Sequence, residues 1–205
     1  MARLIHLGRV EYRVAWDRQQ QELSAVIAGA ESAVIFCEHD PVYTLGRTRG
    51  ASANVLNAGD TPVIEVERGG DVTWHGPGQL VAYPILRLEG EARDLHAHLH
   101  RLEDVVVEVC AELGLPTGRD ARNTGVWVRP NTPEGQKVCS IGIACRRWVT
   151  WHGLAVNVDP DLGAFARINP CGFDASVMTS LTKELGRPVP LDEVESKLAG
   201  KMQNW

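Results

Sequence analysis

Three apolar strand-like runs follow one another at residues 125–129, 137–145 and 148–158, joined only by turns rich in Pro, Asn, Gly and Arg. Further β-branched and apolar runs stand at 33–37, 62–67 and 80–88. Helical composition is confined to intervals between them. Residues 11–28 form the first such interval, and Asp94 is a plausible N-cap for the second, in which Leu95, Leu99, Leu102, Val106, Val109 and Leu113 recur at helical spacing before Gly114 and Pro116. Residues 178–185 and 191–202 read as two C-terminal helices. Clustered strands with helices at intervals exclude a strict β-α alternation and predict an α+β domain around a mixed or antiparallel sheet.

A chain of 205 residues, 44% of them hydrophobic, can bury a substantial core as one domain, and residues 1–205 are read as such. The N-terminus lacks a basic segment followed by a long apolar one, and no apolar run approaches membrane-spanning length. The expectation is a soluble, cytoplasmic protein with no membrane partner. Five cysteines without a Cys-x-x-Cys pair fit reduced thiols and argue against structural zinc. The net charge of −5 argues against a nucleic-acid partner, since such domains carry a basic excess.

One cysteine differs from the rest. Cys37, Cys110, Cys139 and Cys145 sit in apolar runs and read as small buried hydrophobes. Cys171 lies in Asn169-Pro170-Cys171-Gly172, a turn after an apolar strand-like segment, where proline fixes φ and glycine permits close approach. That setting suits an exposed, nucleophilic thiol.

Two further segments carry candidate chemistry. Between Arg68 and Tyr83 four glycines are interleaved with Arg68, Asp71, Val72, Thr73, Trp74, His75 and Gln79, so that backbone N–H groups around Gly69 and Gly70 can converge on a bound group. Lys137 opens the otherwise apolar run through Ser140, Ile141 and Gly142; either it snorkels to solvent, or it meets Cys171 and its ammonium favours the thiolate. His152-Gly153 reads as a turn at the head of the strand carrying Leu154 and Ala155, where glycine opens room for an acyl chain or forms a plain bulge. His96 and His100 share a helical face, but no Glu lies between them in zinc-protease fashion, and no metal site is expected.

Taken in order, Arg68-Gly69-Gly70 through His75, Gln79 and Tyr83, then Lys137, His152-Gly153-Leu154-Ala155 and Asn169-Pro170-Cys171-Gly172 resemble the lipoyl(octanoyl) transferases of the bacterial type. His39-Asp40-Pro41, with Thr44 and Gly46, resembles the same family's N-terminal signature. The resemblance implies the α+β fold of the biotin and lipoate protein ligases, with a mixed sheet and flanking helices. It implies transfer of an octanoyl group from acyl carrier protein to a lysine of the lipoyl domains of 2-oxoacid dehydrogenases or of the glycine cleavage H protein, with no cofactor. Cys171 would be the nucleophile and Lys137 its catalytic partner. The acyl group would lie among Arg68, Gly69, Gly70, Asp71, Val72, Thr73, Trp74 and His75, Ser140, Ile141 and Gly142, and Gly153, Leu154 and Ala155. Two other readings compete: an ATP-dependent lipoate or biotin protein ligase, which needs no cysteine nucleophile, and a non-catalytic acyl-binding or carrier-docking protein.

Overall fold

The structure is a computed structural model and describes every residue except Cys171. In chain order the described residues form β1 (Arg3–Val10), α1 (Tyr12–Ile27), β2 (Ala33–His39), β3 (Val42–Leu45), β4 (Val63–Glu65), β5 (Val72–His75), β6 (Gln79–Ile85), α2 (Leu95–Glu112), β7 (Thr117–Asp120), β8 (Asn123–Val128), β9 (Gln136–Arg146), β10 (Val149–Asn157), α3 (Leu181–Leu185) and α4 (Leu191–Met202). Seven strands make one sheet in the order β1-β2-β6-β10-β9-β8-β7. Only β1 and β2 run parallel in it, so the sheet is mixed, as the clustered strands predicted. A small second sheet, β4-β3-β5, carries the glycine-rich segment.

Both faces of β2 and β6 are covered, and that explains why these strands read as nearly unbroken apolar runs. Val34 and Phe36 of β2, with Leu80 and Ala82 of β6, face a cluster completed by Leu102, Val106 and Val109 of α2 and by Leu198 and Met202 of α4. The alternate residues Ile35, Cys37, Val81, Tyr83 and Ile85 face Ala15, Leu23 and Val26 of α1. Period-two alternation thus divides two apolar payloads between two helical layers. The helix ends follow local chemistry. The Asp94 carboxylate accepts the His96 and Ala97 N–H groups to start α2, and Gly114 at φ +88° follows its C-cap.

Several sequence expectations need correction. The helix expected over 178–185 forms only as Leu181–Leu185, because Met178 bridges to Lys137, the Thr179 N–H bonds the Lys137 carbonyl, and Ser180 caps the helix. The strand-like segment before Cys171 is a 3₁₀ turn, Leu162–Arg167, with Ile168 making one bridge to Val55. His152 and Gly153 do not turn the chain: they lie inside β10, paired with Ile143 and Gly142. Cys145 is half-buried, unlike Cys37, Cys110 and Cys139. The sequence pattern predicts none of β1, β3, β5 and β7, since they are short or lie at sheet edges, where packing more than pattern decides.

Candidate active site

A cavity of about 400 Å³ lies against β9 and β10. On β9 its lining reaches from Lys137 to Ile143, roughly 20 Å at the usual strand rise. Ser140, Ile141 and Gly142 of β9 and Gly153, Leu154 and Ala155 of β10 all contribute. Ile141 and Leu154 are direct register partners, as are Gly142 and Gly153. Arg68, Gly69, Gly70, Asp71, Val72, Thr73 and His75 also line the cavity. The fold therefore brings together three sequence segments singled out for substrate contact. Trp74 stands apart: its indole packs edge-on to Phe165, ring centroids 5.5 Å apart, in a separate apolar cluster with Tyr43 and Ile168.

The glycine loop is held by backbone contacts that side chains would block. The Gly69 N–H donates to the Ile143 carbonyl at 2.9 Å, stitching the loop to β9. Gly70 has φ +86°, the left-handed region that favours glycine, and its carbonyl accepts from Thr48 N–H at 3.1 Å. A β-carbon on Gly46 would stand 2.2 Å from that same carbonyl, which accounts for the glycine in the 39–46 signature. The buried Arg68 guanidinium donates to the Thr44 carbonyl and hydroxyl, at 2.8 and 2.9 Å, and to the Gly69 carbonyl at 3.1 Å. The Asp71 carboxylate accepts from Asn54 and from the Val72 N–H, each at 2.6 Å. Arg68 and Asp71 thus order the loop as well as line the cavity.

Lys137 is only 3% exposed, so it does not snorkel to solvent. Its Nζ donates to the Asn123 side-chain carbonyl and to the Thr124 backbone carbonyl, the latter at 2.9 Å, and lies 5.0 Å from the centre of the Trp127 ring. A bulge between Val126 and Trp127 sets this arrangement, since it places Trp127 opposite Lys137. Gly125, at φ +134°, makes room for the lysine stem: a β-carbon there would meet the Cys139 carbonyl at 2.4 Å and Lys137 Cε at 3.2 Å. Asn123, Gly125 and Trp127 carried no local sequence signal, because only the β8–β9 pairing reveals what they touch.

Cys171, the expected nucleophile, lies outside the described residues. Pro170, its neighbour, and Phe173, two residues further on, line the same cavity as Lys137. Phe173 also packs edge-on to Trp127 at 6.1 Å.

Buried polar groups run through the core beside the cavity as a fixed hydrogen-bond chain. The Asn157 amide donates to the Thr179 carbonyl at 2.9 Å, and its oxygen accepts from the Gln79 amide at 2.9 Å. The Gln79 oxygen then accepts from His75 Nδ1–H at 2.6 Å, which leaves His75 Nε2 to accept from the Thr44 hydroxyl at 3.4 Å. A second histidine is fixed in the same manner. His39 Nδ1–H donates to the Val10 carbonyl at 3.2 Å, and Nε2 accepts from the Tyr83 hydroxyl at 2.7 Å. Burial pushes His39 down to about 4 and His75 down to about 3, so both are neutral. Burial also lowers the pKa of His152, which sits at φ +56° within β10 with Nε2 3.5 Å from the Glu67 carboxylate.

The histidines of α2 disperse. His98 is buried against Trp205 and His100 faces the Glu103 carboxylate, while His96 lines the cavity. Arg119 pairs with Glu103 and Asp104, and Arg122 with Asp120. Arg146 and Arg147 are exposed at the β9–β10 turn.

Residues 11–203 match the model of the lipoyl protein ligase A/B catalytic domain. The chain belongs to this family. Within the lipoyl protein ligase A/B family it is 46% identical over 196 residues to a protein of Geobacter metallireducens named octanoyltransferase, covering 95% of this chain and 89% of the relative. Among solved structures, the lipoate protein ligase of an archaeal lipoylation system from Thermoplasma acidophilum superposes with a TM-score of 0.75 at 17% identity, covering 99% of this chain and 82% of that one. The biotin protein ligase of Aquifex aeolicus gives a TM-score of 0.56 at 15% identity, over 100% and 68% of the two chains. These likenesses establish the fold as that of the biotin and lipoate protein ligases, in agreement with the expectation from sequence.

Proposed function

We propose that this chain is an octanoyltransferase. It takes an octanoyl group from octanoyl-acyl carrier protein and transfers it, through a thioester on Cys171, to a lysine of lipoyl domains. The acceptors are those of 2-oxoacid dehydrogenases and the glycine cleavage H protein, and the place of action is the cytoplasm. Among the described residues no helix is long and apolar enough to cross a membrane. The observation that carries the reading is the cavity itself: the paired Ile141 and Leu154 line it together with the buried Lys137 and with Pro170 and Phe173 on either side of Cys171 in sequence. The octanoyltransferase name of a relative aligned over nearly the whole chain supplies the acyl group.

In the first half-reaction the Cys171 thiolate attacks the thioester carbonyl carbon. The carbon–sulfur bond to the carrier's pantetheine breaks, and the departing thiolate takes a proton from the Lys137 ammonium. In the second, the acceptor lysine, having released one proton to solvent, attacks the acyl-enzyme. Its nitrogen passes a further proton to the Lys137 amine as the Cys171 thiolate departs, which restores the ammonium. An acceptor lysine with an ordinary pKa of about 10.4 is mostly ammonium near neutral pH, so its first proton must leave before attack, and the Lys137 amine takes the second from the tetrahedral adduct. Backbone donors near the cavity glycines are the natural stabilisers of the tetrahedral oxyanion.

The test is intact mass spectrometry of wild type and Cys171→Ser mixed with octanoyl carrier protein without ATP, followed by a lipoyl domain. One octanoyl adduct on wild type alone, discharged onto the acceptor, is the expected result. No adduct, with acceptor modified only once ATP and free octanoate are added, would make the chain a ligase. No adduct and no turnover under either condition would leave an acyl-binding protein. Lys137→Ala is expected to slow both half-reactions by about 100-fold or more, the usual weight of acid–base catalysis.

A further inference from the structure

The surroundings of Lys137 Nζ define more than its location. A lysine amine bears two hydrogens and a lone pair, and an ammonium three hydrogens. The Asn123 and Thr124 carbonyls accept from Nζ and can engage two N–H groups in either state. The remaining tetrahedral direction carries a proton in the ammonium and the lone pair in the amine. Asn123 is itself anchored, because its backbone carbonyl accepts the Trp127 indole N–H at 3.0 Å and Trp127 is fully buried.

We infer that Asn123 is a positioning residue, whose amide carbonyl acts with that of Thr124 to hold Lys137 so that one fixed direction of its nitrogen exchanges a proton with the reacting groups. Lys137 then gives a proton in one half-reaction and accepts one in the other without turning. Neutrality of the partner matters as much as its geometry. A carboxylate at Asn123 would favour the ammonium strongly and oppose the base step, whereas a neutral amide accepts from both states and favours the ammonium far less. The Trp127 face adds a modest preference for the cation at rest. The inference rests on the reading of Lys137 as the proton carrier of the acyl transfer.

The test measures acylation by octanoyl carrier protein and discharge to a lipoyl domain as separate single turnovers across pH, in wild type, Asn123→Asp, Asn123→Ala and Lys137→Ala. Asn123→Asp keeps the size and the acceptor oxygen. Its acylation should stay within a few-fold of wild type, while the pH limb for discharge moves upward by about one unit or more. Asn123→Ala should slow both steps by roughly tenfold or more with KM for the carrier unchanged, as expected when a reacting group loses its orientation. If Asn123→Ala does not fold, the Asn123→Asp profile decides alone. A discharge profile for Asn123→Asp that overlays wild type, with Lys137→Ala impaired in both steps, would overturn the positioning role and leave the Lys137 reading standing. Wild-type rates in Lys137→Ala would overturn both.

Discussion

The Gly69 carbonyl oxygen lies 2.9 Å from where a β-carbon on Gly142 would stand, so the glycine loop and strand β9 meet backbone to backbone beside the cavity. Arg68 Cδ lies 3.1 Å from the same point. A side chain at Gly142 therefore displaces the loop before it fills the acyl slot.

Gly142→Val is expected to lower activity toward thioesters of every chain length, with a stability cost of about 1–3 kcal/mol typical of overpacking. Paired thermal melts and kcat/KM values for donors from hexanoyl to decanoyl check this. A shift in chain-length preference at undiminished activity would place the acyl chain against Gly142 itself.

Gln79→Leu should destabilise the fold without touching Lys137. It leaves His75 Nδ1–H and the Asn157 side-chain oxygen without their partner, at roughly 1–3 kcal/mol for each buried group. Urea unfolding that matched wild type would mean that the chain from Thr44 to Thr179 contributes nothing measurable.

Stability should fall as pH drops below about 6.5, the ordinary histidine value. His39 and His98 are held down to about 4 and His75 down to about 3, burial being the first cause in each. The unfolded chain therefore binds protons that the native state refuses. The stabilisation is complete above the unfolded value and is lost as pH falls toward the folded ones, at roughly 1.4 kcal/mol per pH unit for each histidine in the window. Urea midpoints between pH 7 and 4.5 for wild type and His39→Gln should diverge, with the variant less sensitive to acid.

Charge reversal at Arg146 and Arg147 should raise KM for the carrier-bound donor several-fold and leave small pantetheine thioesters unaffected. Both arginines project at the β9–β10 turn, where Arg147 and Trp148 adopt positive φ and Trp148 is 39% exposed. An acidic carrier docked there would bind in a salt-dependent way. A KM for the carrier-bound donor that is the same in variant and wild type would discard this face.

Local chemistry was legible in the sequence because it acts over a few residues. Asp94 marks the start of α2 through its own carboxylate, residues 191–202 carry a helical face, and 33–37 and 80–86 are apolar throughout because helices cover both faces of their strands. The glycines of 68–78 advertised a loop of close backbone approaches, and Gly70 fills that role. By contrast, the short strands β3 and β5 depend on pairing with each other, and Met178 is extended where its composition suits a helix because Lys137 offers a bridge.

The sequence by itself determined the α+β class and where the long helices start and stop, since periodicity and capping are properties of neighbouring residues, while the acyl chemistry was legible only through the resemblance carried by the ordered motifs. Only the tertiary structure decided that Trp74 turns away to Phe165, that His152 sits left-handed within a strand, and that Asn123, Gly125 and Trp127 enclose Lys137. The physical reason is register. A bulge of one residue between β8 and β9 chooses which side chain stands opposite Lys137, and no local pattern encodes that choice.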